Sequence, residues 1–232
     1  MKTKIFCDSA DLKTIKEFNN NSLVSGFTTN PSLIRKAGAK NYKNYSLKLL
    51  SVCKKKPISL EVFADKFDEM IKQAIIINSW SKNVYVKIPV VNSKGIFTSK
   101  VINTLSNKGI KLNITAVYTV PQVRKIVKNL NKKSKTIISI FAGRMSDVGK
   151  DPLPIIKESV RLTKKFKTID ILWASTTEAY NFTQAKNCKC SIITMPSTII
   201  NKIDKFGASF QDLTLNTVRT FLKDSRDSNY KI

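Results

Sequence analysis

Eight short runs of apolar, largely β-branched residues recur along the chain, at Lys4–Cys7, Leu23–Thr28, Ile58–Phe63, Val84–Pro89, Leu112–Val117, Thr136–Phe141, Ile169–Ala174 and Ser191–Thr194. Each has strand length, and most are continuously apolar rather than alternating, as befits parallel strands covered on both faces. Helical spacing fills the gaps. Phe67, Met70, Ile71, Ala74 and Ile75 form one face of Asp65–Trp80. In Thr119–Asn131 the face is Val120, Val123, Ile126, Val127 and Leu130, with Thr119 as cap and Pro121 in the first turn. Ile155, Ile156, Val160 and Phe166 mark Pro152–Lys167. Pro31–Leu50, Ser93–Asn107, Thr177–Asn187 and Pro196–Lys205 occupy the remaining gaps, and a last helix is expected over Gln211–Lys223.

Strand and helix therefore alternate eight times with no composition break and no low-complexity linker. Right-handed crossovers and the count of eight predict an α/β fold of one domain over residues 1–232, a single (β/α)8 TIM barrel with an extra C-terminal helix. A doubly wound open sheet is the alternative. Against it, no Gly-x-Gly-x-x-Gly follows the first strand, and the seven glycines include no Walker-type loop.

The composition then removes whole mechanisms. The 232 residues contain no histidine, which excludes Ser-His-Asp and Cys-His catalysis and histidine metal sites. Proton chemistry falls to Asp, Glu, Lys, Tyr, Cys or water. Cys7, Cys53, Cys188 and Cys190 lack zinc spacing and read as reduced core thiols of a cytoplasmic protein. Neither a metal nor a cofactor is expected. The N-terminus has no signal-peptide pattern, and no apolar stretch reaches the ~18 residues of a membrane span.

The 41 Lys and Arg outnumber 16 Asp and Glu, for a net charge of +25. Such a surplus suits a polyanion partner, but it also suits a solvated lysine surface. Only six of the basic residues are Arg, and they are scattered (Arg35, Arg124, Arg144, Arg161, Arg219 and Arg226). Readers of nucleic acid cluster Arg with aromatics. The surplus is therefore read as solvated, with no nucleic-acid and no membrane partner expected.

In a barrel, chemistry sits where strands run into loops. Asp8 ends the first strand, and the second runs into Thr28-Thr29-Asn30-Pro31. Glu61 lies in the third strand, Lys87 in the fourth, and Asn113 and Thr115 in the fifth. Ser139 and Phe141 end the sixth, with Arg144 just beyond, and Ser175 ends the seventh. Lys87 stands out because Val86 and Ile88 flank it inside an apolar strand. Burying an ammonium costs several kcal/mol unless it is paired or neutralised. Desolvation favours the free amine, which makes Lys87 a candidate Schiff-base nucleophile. A structural lysine paired with Glu61 or Asp8 fits the same pattern. Asp8, or Ser9, is also a candidate cap for a helix beginning near Ala10, and Asn30-Pro31 reads equally well as a turn opening a helix.

At these positions the chain resembles the transaldolase family, which includes short transaldolases and fructose-6-phosphate aldolase. The matching segments are Phe6-Cys-Asp8-Ser-Ala-Asp-Leu12, Gly26-Phe-Thr-Thr-Asn30-Pro-Ser-Leu-Ile34, Val86-Lys87-Ile-Pro89, Asn113-Ile-Thr115-Ala-Val-Tyr118, Ser139-Ile-Phe141-Ala-Gly-Arg144-Met-Ser-Asp147 and Trp173-Ala-Ser175. The resemblance implies a metal-free class I mechanism. In it Lys87 forms a Schiff base with a ketose, Asp8 is the acid/base, and Glu61 and Thr115 hold a proton-shuttling water. It further implies that Asn30, Asn113 and Ser139 hydrogen-bond a dihydroxyacetone unit, with Thr29 and Ser175 beside them. Phe141 then lines the site and Arg144 holds the substrate's phosphate.

Fructose-6-phosphate aldolases tend to carry Gln, Tyr and an apolar residue where this chain has Glu61, Phe141 and Asn113. The resemblance therefore favours transfer of the three-carbon unit between sugar phosphates over release of free dihydroxyacetone, whether in the pentose phosphate pathway or in a surface-sugar branch. A catalytically idle polyanion-binding barrel is the alternative from another class. Similar short transaldolases place a basic residue where Thr177 stands, so either another lysine supplies that charge or the substrate tail is not an ordinary phosphate. Relatives form dimers, pentamers or decamers, so self-association is expected as well.

Overall fold

The apolar runs close on one another, so that each strand is hydrogen-bonded to its sequence neighbours and the last to the first. The computed structural model of the protein describes residues 2–229 and 231. Its strands are β1 (Lys4–Asp8), β2 (Val24–Thr28), β3 (Ile58–Glu61), β4 (Val84–Pro89), β5 (Leu112–Val117), β6 (Thr136–Ile140), β7 (Ile169–Trp173) and β8 (Ile192–Met195). All pair in parallel, and β8 closes the barrel on β1. The expected (β/α)8 barrel with a C-terminal helix is what the chain forms, and the open-sheet alternative is excluded by the closure. The helices are α1 (Leu12–Asn20), α2 (Pro31–Lys36), α3 (Tyr42–Val52), α4 (Phe67–Ser79), α5 (Ser99–Asn107), α6 (Val120–Asn129), α7 (Ala142–Ser146), α8 (Leu153–Thr163), α9 (Tyr180–Asn187), α10 (Ser197–Ile200) and α11 (Phe210–Asp227).

Several local expectations are corrected by side-chain chemistry. The cap of α1 is neither Asp8 nor Ser9 but Asp11, whose carboxylate accepts from the Thr14 N–H at 2.7 Å. Pro31–Leu50 is not one helix. Gly38, at φ +82°, turns the chain after α2, and Asn41 caps a new helix by accepting from Asn44 N–H at 2.9 Å. The segment before α5 is a turn, in which Asn92 Oδ1 accepts from the Lys94 and Ile96 N–H groups and Val91 bridges to Phe97. Thr119 caps α6 as expected, and Gln122 completes a capping box. Asn30 caps α2 through Leu33 N–H, so the turn reading of Asn30-Pro31 is also satisfied.

The barrel interior is layered. Phe6, Ile137, Leu172, Ala174 and Ile192 form a buried cluster against which Tyr85 and Phe141 pack. A Cβ at Gly26 would lie 2.6 Å from the Phe6 ring, so β2 gives up a side chain here to let that ring cross the barrel. Each of the larger apolar side chains here contributes about 1.5–3 kcal/mol on burial. With a side-chain period of two, the residues two further along point the same way, one layer nearer the strand C-termini. Phe6 leads to Asp8, Gly26 to Thr28, Tyr85 to Lys87, Ile137 to Ser139 and Ile192 to Thr194. The polar ring is thus the next layer above an apolar floor.

The chain divides into two compact units, one ending at Ile200 and the other beginning at Asn201. The second unit is dominated by α11, which Ser209 caps through Asp212 N–H. No residue of α11 is buried, and Phe210, Leu213, Val218, Phe221 and Leu222 are all exposed.

Candidate active site

The polar ring lines a cavity of about 130 Å³ at the C-terminal end of the strands. Its walls include Asp8, Asn30, Lys87, Asn113, Thr115, Ser139, Phe141, Arg144 and Ser175, all singled out from sequence. A wider opening of about 460 Å³ shares Asn30, Lys87, Thr115, Phe141 and Arg144 with it and adds Glu61 and Lys36. Thr29 lines neither cavity. Its hydroxyl donates to Ser59 carbonyl at 2.8 Å, and its own carbonyl accepts from Lys87.

Lys87 is 7% exposed. Its Nζ lies 3.1 Å from Glu61 Oε2 and donates to the Thr29 carbonyl at 3.1 Å. Register explains the pair, since Glu61 on β3 stands directly beside Lys87 on β4. Asn113 stands on the other side of Lys87. Tyr42 holds the far side of Glu61, donating to its backbone carbonyl at 2.8 Å.

Asn113 is fully buried and its amide is fixed at both ends. Nδ2 donates to Ser59 Oγ at 3.0 Å, and Oδ1 accepts from Ser139 Oγ at 2.7 Å. Ser139 has therefore spent its one hydrogen and offers the cavity only lone pairs. Thr115 Oγ1 is buried and has no hydrogen-bond partner among the described residues. An unsatisfied buried hydroxyl is uncommon, and one facing a cavity is free for a ligand oxygen.

Asp8 Oδ1 accepts from Thr28 Oγ1 at 2.6 Å, and Thr28 Oγ1 lies 2.5 Å from Thr194 Oγ1. Burial pushes the Asp8 carboxyl above the usual carboxylate range, against the lowering pull of the Thr28 hydrogen bond and the Lys87 charge. Thr28 and Thr194 also line the cavity. The sequence placed Thr28 at a strand end without assigning it a role and passed over Thr194. A threonine inside Ile-Ile-Thr-Met reads as one more β-branched strand residue.

The rim is built from backbone under strain. Ala116 and Ser175 both adopt the left-handed region, at φ 58° and 60°. The β5–β6 register shifts between Ile114 and Val117, which places Ala116 on the rim of the opening. Ser175 lies beyond the end of β7 at Trp173, rather than ending the strand. A Cβ at Gly143 would fall 1.5 Å from the Ser175 carbonyl oxygen, so only glycine lets α7 come this close. That approach places Arg144 at the opening, where its guanidinium lies 5.4 Å from the Phe141 ring centroid. Phe141 in turn meets Tyr118 edge-on at 5.8 Å.

Thr177 is exposed and its N–H donates to Asn181 Oδ1, so it contributes no charge to the site. Lys36, in the last turn of α2, lines the opening together with Arg144. The sequence left open whether another lysine supplies the missing charge and did not single out this one.

Among the described residues no group of acids and thiols is arranged to hold a metal ion, and no helix is long and apolar enough to cross a membrane. All four cysteines are free and buried.

Fold and ring together describe a parallel eight-stranded barrel whose polar end is centred on one buried lysine. The family described as Transaldolase/Fructose-6-phosphate aldolase matches residues 5–231, and the chain belongs to it. It is 31% identical over 222 residues to a protein named "Probable transaldolase" from Herpetosiphon aurantiacus, covering 95% of this chain and 94% of that one. It is 33% identical to another of the same name from Methanococcus vannielii, covering 95% and 96%. Among solved structures it is similar in fold to N-acetylneuraminate lyase from Mycoplasma synoviae, with TM-score 0.56, 11% identity and coverage of 98% of this chain and 80% of that one. Orotidine 5'-monophosphate decarboxylase from Metallosphaera sedula gives TM-score 0.57 at 11% identity, covering 90% and 98%. The two structures share the barrel alone. Family membership supports an enzyme with an aldolase-type reaction.

Proposed function

We propose that the protein transfers a dihydroxyacetone unit between sugar phosphates through a Schiff base on Lys87. The observation that carries this reading is the buried Lys87 amine, held between Glu61 and the Thr29 carbonyl and open to a polar cavity. The deprotonated amine adds to the ketose carbonyl, and loss of water leaves an iminium. Glu61 takes the amine proton, and Thr115 Oγ1 orients the water that carries protons between them. Asp8 accepts the proton of the hydroxyl on the carbon β to the iminium. The α–β carbon bond breaks, and its electron pair moves into the iminium to give an enamine. The first aldehyde leaves, an acceptor aldehyde takes its place, and the same steps run in reverse. No metal and no cofactor enters this scheme.

Asn30, Asn113, Ser139 and Ser175 surround the three-carbon unit in the inner cavity. Its size suits that unit, with the remainder of the sugar in the wider opening. There Arg144 and Lys36 share the phosphate, and Lys36 stands in for the cation that Thr177 does not provide. Glu61, Asn113 and Phe141 are the residues that favour transfer over simple aldol cleavage. The surplus positive charge draws anionic sugars inward and needs no nucleic-acid partner. Four reduced, buried thiols suit a cytoplasmic protein. The exposed apolar side of α11 suits self-association.

Borohydride trapping with fructose 6-phosphate tests the reading. A stable adduct mapped to Lys87 by peptide mass analysis is expected, with turnover that depends on erythrose 4-phosphate as acceptor. Absence of an adduct with any ketose would refute it. Turnover without an acceptor would favour the aldolase alternative.

A further inference from the structure

The hydroxyl chain behind Asp8 carries an inference that rests on the reading of Asp8 as acid/base. The strands bring three groups to one level. β1 lies between β2 and β8, with Asp8 beside Thr28 and with Phe6, one layer below Asp8, beside Thr194. Thr28 is 3% exposed and Thr194 5%, so water has little access to either.

A hydroxyl has one hydrogen. Thr28 gives its hydrogen to Asp8 Oδ1 at 2.6 Å. The 2.5 Å contact between Thr28 and Thr194 then requires the hydrogen of Thr194. The chain therefore has a direction, from Thr194 to Thr28 to Asp8. Thr194 is itself anchored, since its backbone carbonyl accepts from Thr176 Oγ1 at 2.7 Å. No hydrogen bond to Asp8 Oδ2 is found among the described residues.

We propose that Thr194 is a positioning residue for the acid/base: it locks the Thr28 hydrogen onto Asp8 Oδ1 and leaves Oδ2 as the oxygen that exchanges a proton with the substrate hydroxyl. The chain keeps its direction whether Oδ2 is ionised or protonated, so the carboxyl need not rotate between bond breaking and bond making. It also polarises the Thr28 hydroxyl, and a donor so strengthened favours the carboxylate against its burial. The titratable groups that act here are few. Lys87, from β4, draws the carboxyl down. Cys7, next to Asp8 on β1, is itself raised by burial first and by the Asp8 charge second. β2 and β8, the strands flanking β1, present hydroxyls at this level.

The test compares Thr194→Val, which keeps the shape and loses the hydroxyl, with Thr194→Ser, which restores it. Turnover of fructose 6-phosphate with erythrose 4-phosphate is followed against pH. For the valine variant kcat is expected to fall roughly tenfold, with KM little changed. The acidic limb of its kcat profile should move up by roughly half a pH unit. The serine variant should return both toward wild type. Borohydride adduct formation on Lys87 should persist in all three proteins.

An unshifted limb with equal losses in the serine variant, or a loss confined to KM and thermal stability, would overturn the proposal and leave Thr194 a packing residue. Should the valine protein fail to fold, Thr194→Ala, which also lacks the hydroxyl, decides the same point against Thr194→Ser. If wild type itself forms no adduct, the functional reading fails. If it forms one and the valine variant matches wild type in kcat and pH profile, this inference alone fails.

Discussion

Replacing Lys87 by methionine removes the amine while keeping the length and apolar character of its stem. The partner side chains are 8% and 15% exposed and 3.1 Å apart, so the Glu61 carboxylate is left without a cation in a site with little water. The Thr29 carbonyl loses its donor as well. Removing one partner of a buried pair costs about 3–5 kcal/mol, because the other charge stays behind. For a protein of this size each kcal/mol moves Tm by about 2–4 °C, so Lys87→Met should melt about 6–20 °C below wild type. Glu61→Gln is milder, since an amide oxygen still accepts from Lys87, and should cost about 1–3 kcal/mol. The double variant Lys87→Met with Glu61→Gln has no charge left to strand. It should therefore recover part of the loss, giving a coupling energy of about 2 kcal/mol. Urea unfolding of the four proteins at pH 7 measures this. If Lys87→Met equals wild type, or the two losses simply add, the pair does not hold this end of the barrel together and the reasoning fails.

Gly143→Ala places a Cβ 1.5 Å from the Ser175 carbonyl, a backbone atom that cannot swing aside. A cost of about 1–3 kcal/mol is expected, with lost turnover, as α7 moves Arg144 off the opening. Melting and activity at saturating substrate check both. At high pH stability should fall, because burial pushes the Cys7 and Cys190 thiols from 9.0 up to about 12 and Cys53 up to about 11. Above pH 9 the unfolded thiols lose protons that the folded ones keep. Each group therefore costs about 1.4 kcal/mol per pH unit until its folded value is reached. Relaxed lysine repulsion acts the other way, so Cys7→Ala is compared with wild type at each pH. Its stability deficit should shrink between pH 8 and 10.5, and a constant deficit counts against the assignment.

Charged and polar side chains inside apolar strands made much of the site legible from sequence. Glu61, Lys87 and Asn113 interrupt runs that would otherwise be continuous, and a parallel barrel leaves such residues only the interior ring. Asp8 and Ser139 were legible because they stand at or near strand ends, and Arg144 because it follows β6 within a few residues. Thr194 and Thr28 were not, because threonine is both a good strand former and a functional hydroxyl, and only the cross-strand distances tell these apart. Lys36 was hidden among 41 basic residues, since nothing local distinguishes a lysine at the opening from one on the outer surface. The break between α2 and α3 was missed because apolar spacing continues across Gly38, whose positive φ ends the helix regardless. Ala116 and Ser175 adopt conformations that neither residue type announces.

The apolar floor made by Phe6, Ile137, Leu172 and Ile192 has a kinetic consequence. It lies below the polar ring, and the opening rimmed by Arg144, Lys36 and Ser32 gives the cavity a door on the other side. In the proposed transfer the donor sugar, both aldehydes and the product sugar all pass that door. The first aldehyde has to depart before the second can enter, and the enamine waits between them shielded from below. The transfer proposed above is therefore expected to be ping-pong, with parallel double-reciprocal lines. Each sugar phosphate in excess then inhibits by occupying the doorway of the other.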